Sequence, residues 1–127
     1  MSSDYVSVRY MVNDVEESLA WYTRHLGFKQ LSNQAPAFAD AARGRLRLLL
    51  AGPLSSAGRA MSDGTVPKPG GWNRIHLEVD DIEAEIARLR AAGLTFRNEM
   101  VSGPGGKQIL LVDPSGNLVE LFEPAKR

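Results

Sequence analysis

Two segments of the chain carry apolar residues at the spacing of a helix with one buried side. An aspartate precedes each segment and a glycine follows it, which is the usual order of an N-cap and a left-handed C-terminal residue. The pattern predicts two helices, one between Asp14 and Gly27 and one between Asp81 and Gly93. The apolar positions are Val15, Leu19, Tyr22 and Leu26 in the first helix, and Ile82, Ile86 and Leu89 in the second.

The strands around these helices repeat as well. Residues 7–28 align with 74–96, and the later segment 44–53 aligns with 116–125. In this alignment Ser7 matches Arg74, Arg9 matches His76, and Leu48 matches Glu120. The sequence DPSGN at 113–117 is a turn signal, so 108–112 and 118–122 are predicted to form a hairpin. Each half therefore contains a strand, a helix and about three further strands.

This repeat predicts an α+β fold of two βαβββ modules whose sheets curl around a binding cavity. We place module 1 at about 4–53, a linker loop at about 54–71 and module 2 at about 72–125, all within one domain of residues 1–127.

The composition argues against several classes of binding partner and cofactor. Fifteen basic side chains balance fifteen acidic ones, so no global field attracts nucleic acid or an anionic membrane. No apolar run approaches the roughly 20 residues that span a bilayer. Cysteine is absent, which removes disulfides, thiolate nucleophiles and cysteine-based metal sites. We expect a cytoplasmic protein that binds neither nucleic acid nor membrane and uses no cofactor.

Strand alternation identifies the side chains that can line a cavity. In WNRIHLEVDD, at 72–81, Arg74, His76 and Glu78 share one face, while the apolar residues between them face the helix. The same parity places Ser7 and Arg9 inward on the first strand, and Glu120 and Phe122 on the last. An equal alternative is that Arg9 reaches solvent at the sheet edge.

The chain resembles the vicinal oxygen chelate superfamily, which includes glyoxalase I, bleomycin-resistance proteins and extradiol dioxygenases. The resemblance rests on VNDVEESLAWYTRHLGF in the first half, and on LEVDDIEAEIARLRAAG and ILLVDPSGNLVELFEP in the second. It implies the same paired βαβββ fold, often with the cavity completed in a homodimer. It does not fix an activity, because one such scaffold hosts unrelated chemistries.

Members that use a metal usually place its ligands at positions that correspond to Ser7, Leu48, Arg74 and Glu120. Only Glu120 suits a cation, and Arg74 brings positive charge to the place where a metal would bind. We therefore predict no metal, and expect Arg74 and Glu120 to form an ion pair. The alternative is a displaced site built by His76 and Glu120 with Glu78.

The Gly-, Ser- and Pro-rich segment 52–73 joins the modules and carries Met61 and Trp72. A loop of this length is often functional, and Trp72 offers a flat face to a planar ligand, although it can equally be a packing residue. The predicted ligand-binding residues are Ser7, Arg9, Leu48, Met61, Trp72, Arg74, His76, Glu120 and Phe122.

Three functions are compatible with these residues. The first is a metal-independent protein that sequesters an aromatic or carbonyl-bearing drug or metabolite, as the bleomycin-resistance branch does. The second is a lyase, isomerase or dioxygenase with a displaced metal at His76 and Glu120. The third is a metal-free enzyme in which Glu120 acts as general base and Arg74 or His76 stabilises an enolate.

Overall fold

The structure, a computed structural model, describes residues 4–126. The chain divides into two compact units, Met1–Gly70 and Gly71–Arg127. We call them unit 1 and unit 2.

Unit 1 is a four-stranded sheet with one α-helix. Strand β1 pairs in parallel with β4, which continues antiparallel to β3 and β2, in the order β1-β4-β3-β2. A short 3-10 helix, Ser56–Gly58, follows the last strand. The elements are β1 (Val6–Met11), α1 (Val15–His25), β2 (Lys29–Gln34), β3 (Phe38–Arg43) and β4 (Leu46–Ala51).

Unit 2 repeats this plan with one strand broken in two. Strand β5 pairs in parallel with β9, β9 pairs with β8, and both β6 and β7 pair with β8. Residues 97–100 interrupt what is a single strand in unit 1, so unit 2 has one strand more than predicted. The elements are β5 (Arg74–Glu78), α2 (Ile82–Ala91), β6 (Thr95–Phe96), β7 (Val101–Gly103), β8 (Gly106–Val112) and β9 (Leu118–Pro124).

Both helices begin and end as predicted. The Asp14 carboxylate accepts the N–H of Glu17 at 3.0 Å, and the Asp81 carboxylate accepts the N–H of Ala84 at 3.1 Å. Gly27 and Gly93 adopt φ values of 71° and 84°, a conformation that favours glycine. These local signals fix where each helix starts and stops.

Each helix buries its apolar side within its own unit. In α1, Val15, Leu19 and Tyr22 are buried, and α1 packs against β2, β3 and β4. In α2, Ile82, Ile86 and Leu89 are buried, and α2 packs against β9. In unit 2, the opposite side of the sheet carries the residues of the candidate site.

The hairpin of unit 2 closes through Asp113. Its carboxylate oxygen Oδ1 accepts the backbone N–H groups of Ser115 and Asn117 at 2.8 and 2.9 Å, and Gly116 takes a φ of 89°. The predicted hairpin is therefore present, and so are the α+β class and the pair of βαβββ modules. Neither sheet closes into a barrel.

The strand register corrects one part of the predicted repeat. Arg9 lies opposite Leu49 in the β1–β4 pair, as His76 lies opposite Glu120 in the β5–β9 pair. The counterpart of Glu120 is therefore Leu49, and the predicted match with Leu48 is wrong by one residue. Because side chains alternate along a strand, Leu48 lies on the opposite face, where it is fully buried.

Candidate functional site

The polar face of unit 2 begins on β5. Ile75 and Leu77 are buried, while Arg74, His76 and Glu78 are exposed, as the alternation predicts. The apolar pair belongs to the core beneath α2, so the other three side chains lie on the sheet face away from the helix.

The neighbouring strand β9 supplies an acid to this face. Glu120 lies directly opposite His76 in the parallel register, with Leu118 and Phe122 on the same face. Glu120 is only 7% exposed, so its carboxylate lies largely out of water. A buried carboxylate needs compensating partners, and this one has them.

Arg74 binds that carboxylate through one hydrogen bond from Nε and a second close ion-pair contact from Nη2. Its Nε and Nη2 atoms both lie 3.0 Å from Oε1 of Glu120. The third nitrogen, Nη1, donates to the backbone carbonyl of Trp72 at 3.3 Å. The ion pair predicted from the sequence is therefore present, and the same guanidinium also holds the segment that leads into β5.

His76 lies at the second oxygen of Glu120. Its Nε2 atom is 3.6 Å from Oε2, which is too far for a hydrogen bond. On its other side the imidazole contacts Phe122, with ring centroids 4.8 Å apart and planes at 40°. Arg74, His76, Glu120 and Phe122 thus form one contiguous surface.

Trp72 and Arg97 extend this surface across the sheet. The Arg97 guanidinium lies 5.3 Å from the centroid of the Trp72 ring, within the range of a cation–π interaction. Arg97 follows β6 at the far side of the sheet. It was not among the site residues predicted from the sequence. One sequence signal points to it: in TFRN, at 95–98, the apolar Phe96 stands between Thr95 and Arg97, so strand alternation places Arg97 on the face away from the core.

The equivalent face of unit 1 carries different residues. Ser7 and Arg9 are exposed on β1, and their register partners on β4 are Arg47 and Leu49. Arg47 Nε lies 3.4 Å from the carboxylate of Asp40 on β3. Asp40 also accepts the hydroxyl of Ser32 at 2.6 Å. Neither Asp40 nor Arg47 was among the predicted site residues.

Met61 lies in a turn of the loop rather than on a strand. Its N–H donates to the carbonyl of Thr65 at 2.7 Å, and its side chain is exposed. The backbone N–H and the side chain of Thr65 bond to Asp63 and hold the pKa of that carboxyl below its ordinary value. The turn is locally organised, with Met61 presented to solvent.

The residues at the family's metal positions do not fit a cation. In unit 2 the acid among them, Glu120, is bound by Arg74, whose positive charge occupies the place next to it. In unit 1 the positions are Ser7 and, after the register correction, Leu49. Between residues 4 and 126, no three His, Cys, Asp or Glu side chains are grouped so that they could hold a metal ion.

The sequence matches a family model over residues 4–121, that of the Glyoxalase/Bleomycin resistance protein/Dioxygenase superfamily. The chain belongs to this superfamily. The resemblance seen in the sequence is thereby confirmed. No curated protein matches the chain.

Solved structures of the superfamily share the fold over nearly the whole chain. A superfamily member from Sphaerobacter thermophilus is 29% identical with a TM-score of 0.75, over 94% of this chain and 95% of that chain. TnmS3, an antibiotic binding protein from Streptomyces sp. CB03234, is 24% identical with a TM-score of 0.73, over 98% of both chains. A lactoylglutathione lyase from Agrobacterium tumefaciens is 22% identical with a TM-score of 0.72, over 93% of this chain and 91% of that chain. The last two share the fold with this chain, and one scaffold accommodates both a binding protein and an enzyme.

Neither helix of the described chain has the length and apolar composition that crossing a membrane requires.

Proposed function

We propose that this superfamily member is a metal-independent binding protein that sequesters an aromatic drug or metabolite, as an antibiotic-resistance protein of this fold would. The Arg74–Glu120 ion pair carries the proposal. Two nitrogens of Arg74 lie 3.0 Å from one oxygen of Glu120, so the best metal ligand on this face is already paired with a protein cation.

The surroundings of this ion pair suit a flat, mainly apolar ligand. Trp72 is 64% exposed, and the His76 ring stacks at a tilt on Phe122. Ligand sites typically combine aromatic walls with a few fixed polar groups that orient the bound molecule. Arg74 and His76 would provide those polar groups, since both retain donor capacity beyond their contacts with Glu120.

The comparisons support this function at the level of the superfamily. TnmS3, which shares the fold, is an antibiotic binding protein. We extend that kind of ligand to this chain because its own polar face holds aromatic side chains around a neutralised carboxylate.

The test is binding of N-phenyl-1-naphthylamine, an uncharged aromatic dye whose fluorescence rises in an apolar site. We expect saturable binding that is unchanged by EDTA or by added Zn²⁺, Ni²⁺, Mn²⁺ or Fe²⁺, with no stoichiometric metal in the untagged protein. Trp72→Ala should weaken binding about tenfold or more, because an aromatic contact is worth roughly 0.5–1.5 kcal/mol beyond its buried area. Trp21→Phe, on α1 of unit 1, is the matched control and should bind as the unchanged protein does. Stoichiometric metal that is lost on His76→Ala would contradict the proposal.

A metal-free lyase or isomerase is the second proposed function, and one contact favours it. Oε2 of Glu120 is not bonded by Arg74 and lies 3.6 Å from His76 Nε2, so it could accept a proton from a carbon next to a carbonyl. Arg74 or His76 would then stabilise the enolate oxygen. Solvent deuterium exchange at that carbon in a bound carbonyl compound, abolished by Glu120→Gln while binding persists, would favour this enzyme over the binding protein.

We also propose that the protein is a homodimer, as members of this superfamily often are. Light scattering at micromolar concentration measures the mass directly. Twice the chain mass of 13.9 kDa is expected, and a mass of one chain would contradict this assembly.

A further inference from the structure

Trp72 is exposed and contacts two arginines. Its backbone carbonyl accepts a hydrogen bond from Arg74 Nη1 at 3.3 Å, and the guanidinium of Arg97 lies 5.3 Å from its ring centroid. The first contact holds the backbone, and the second brings a cation to the indole ring.

The topology explains why Arg97 and Trp72 share a face. Thr95 lies opposite Val112, Val112 opposite Leu118, and Leu118 opposite Arg74, so these positions form one row across the sheet. Phe96 lies on the helix side, where the guanidinium of Arg90 from α2 is 5.2 Å from its ring. Arg97 is the next residue and therefore lies on the polar side with Trp72.

The charge of Arg97 is not matched by a carboxylate in the described part of the chain. Glu120 is bound by Arg74, and Glu99 lies 3.6 Å from Arg90. Glu78 is four residues beyond Arg74 on β5, which places it about 13 Å further along the strand. The ring of Trp72 is thus flanked by a cation that lacks an acidic partner.

We infer that this face selects planar aromatic molecules that carry an acidic group, and that Arg97 is the residue that determines this preference. The aromatic part stacks on the portion of the Trp72 ring that Arg97 leaves open, and the anionic group meets the Arg97 guanidinium at the edge of the ring. A charge-assisted hydrogen bond from a planar guanidinium is stronger than a neutral one and suits carboxylate or sulfonate oxygens. This inference rests on the proposed binding function and adds the chemical class of the ligand.

Two dyes that differ by one acidic group test it. 8-Anilino-1-naphthalenesulfonate carries a sulfonate, and N-phenyl-1-naphthylamine is the same ring system without it. The chain with Trp21→Phe retains Trp72 as its single tryptophan, so quenching of its emission reports binding at this ring. We expect the sulfonate to bind roughly tenfold more tightly than the uncharged dye, the size of one charge-assisted hydrogen bond.

Variants of Arg97 separate charge from packing. Arg97→Gln should remove the preference for the sulfonate, so that the two dyes bind this variant with affinities within about twofold of each other. Arg97→Lys should restore most of the preference, because it retains the cation. The control Arg88→Gln removes an exposed arginine of α2, which pairs with Glu85 at 2.6 Å, and should leave the preference unchanged. Matching thermal unfolding curves would show that the variants fold alike.

The outcomes distinguish this inference from the function on which it rests. If neither dye binds, both are overturned. If both dyes bind equally to the unchanged protein, or if Arg97→Gln weakens both by the same factor, the selection for acidic ligands is wrong and the aromatic binding site remains. An equal loss of preference in Arg88→Gln would attribute the effect to the total charge of the protein and would also overturn the role of Arg97.

Discussion

The two units share one backbone plan, but each places its ion pair on different strands. In unit 2 the acid is Glu120 on β9 and the arginine is Arg74 on β5, at the edge of the sheet. In unit 1 the acid is Asp40 on β3 and the arginine is Arg47 on β4. The register makes Leu49 the counterpart of Glu120 and Leu110 the counterpart of Asp40. The ion pair of unit 1 therefore lies one strand away from the position equivalent to that of unit 2. The helix caps and the apolar face occupy equivalent positions in both units.

The geometry of the two ion pairs differs as much as their position. Arg74 meets its carboxylate with two nitrogens at 3.0 Å, whereas Arg47 Nε approaches Asp40 at 3.4 Å and forms no hydrogen bond within the described residues. The repeated fold thus preserves what stabilises each unit and leaves the sheet face free to diverge. The polar faces of the two sheets therefore carry different charged groups.

The largest expected effect tests the buried core, which is built alike in the two units. Leu50 and Leu121 occupy equivalent positions in β4 and β9, and both are buried against their helices. Replacing either by alanine should lower the free energy of unfolding by about 2–5 kcal/mol, because each change leaves a cavity in a packed core. Urea denaturation measures both values. A loss below about 1 kcal/mol in one variant alone would show that the units do not share one kind of core.

A smaller effect tests the ion pairs, which differ between the two units. Glu120→Gln should lower the free energy of unfolding by about 1–3 kcal/mol, because it removes the charge that a hydrogen bond and an ion-pair contact from Arg74 compensate. Asp40→Asn should cost about 0.2–1 kcal/mol, since the half-exposed Arg47 is held more loosely and the amide oxygen can still accept from Ser32. Both are measured by urea denaturation at pH 7. Equal losses would contradict the distinction drawn between the two ion pairs.

A third effect concerns the helix caps, which the units share. Asp14→Ala and Asp81→Ala each remove the acceptor of one backbone N–H at a helix start, and each should lower stability by about 1 kcal/mol. Asn at either position, which caps nearly as well, should recover most of the loss. Thermal unfolding of the four variants provides the comparison. A variant that loses stability with Asn as much as with Ala would show that its aspartate acts through something other than the cap.

The sequence predicted the features that depend on local chemistry. The helix limits follow from Asp14, Asp81, Gly27 and Gly93, and the alternation along β5 placed Ile75 in the core and His76 outside it. The Arg74–Glu120 ion pair was predictable because the resemblance to the superfamily placed both residues at positions that hold a metal in other members.

Features that depend on how strands pair were not predictable in the same way. The repeat was aligned from the glycines at 44 and 116, but β3 and β4 are joined by two residues and β8 and β9 by five, so the alignment slipped by one position. A slip of one residue exchanges the two faces of a strand. The counterpart of Glu120 was therefore predicted at Leu48, although it is Leu49. The Trp72–Arg97 contact spans the width of the sheet, and no local pattern connects residues so far apart across strands.

We propose above all that the ligand binds on the polar face of unit 2. Chemical-shift mapping of ¹⁵N-labelled protein with 8-anilino-1-naphthalenesulfonate tests it most directly, with the Trp72 indole N–H assigned by comparison with Trp21→Phe. We expect the largest shifts on that indole and on the amides of β5 and β9 around His76 and Glu120. Shifts confined to β1, β3 and β4 around Arg9 and Arg47 would contradict it.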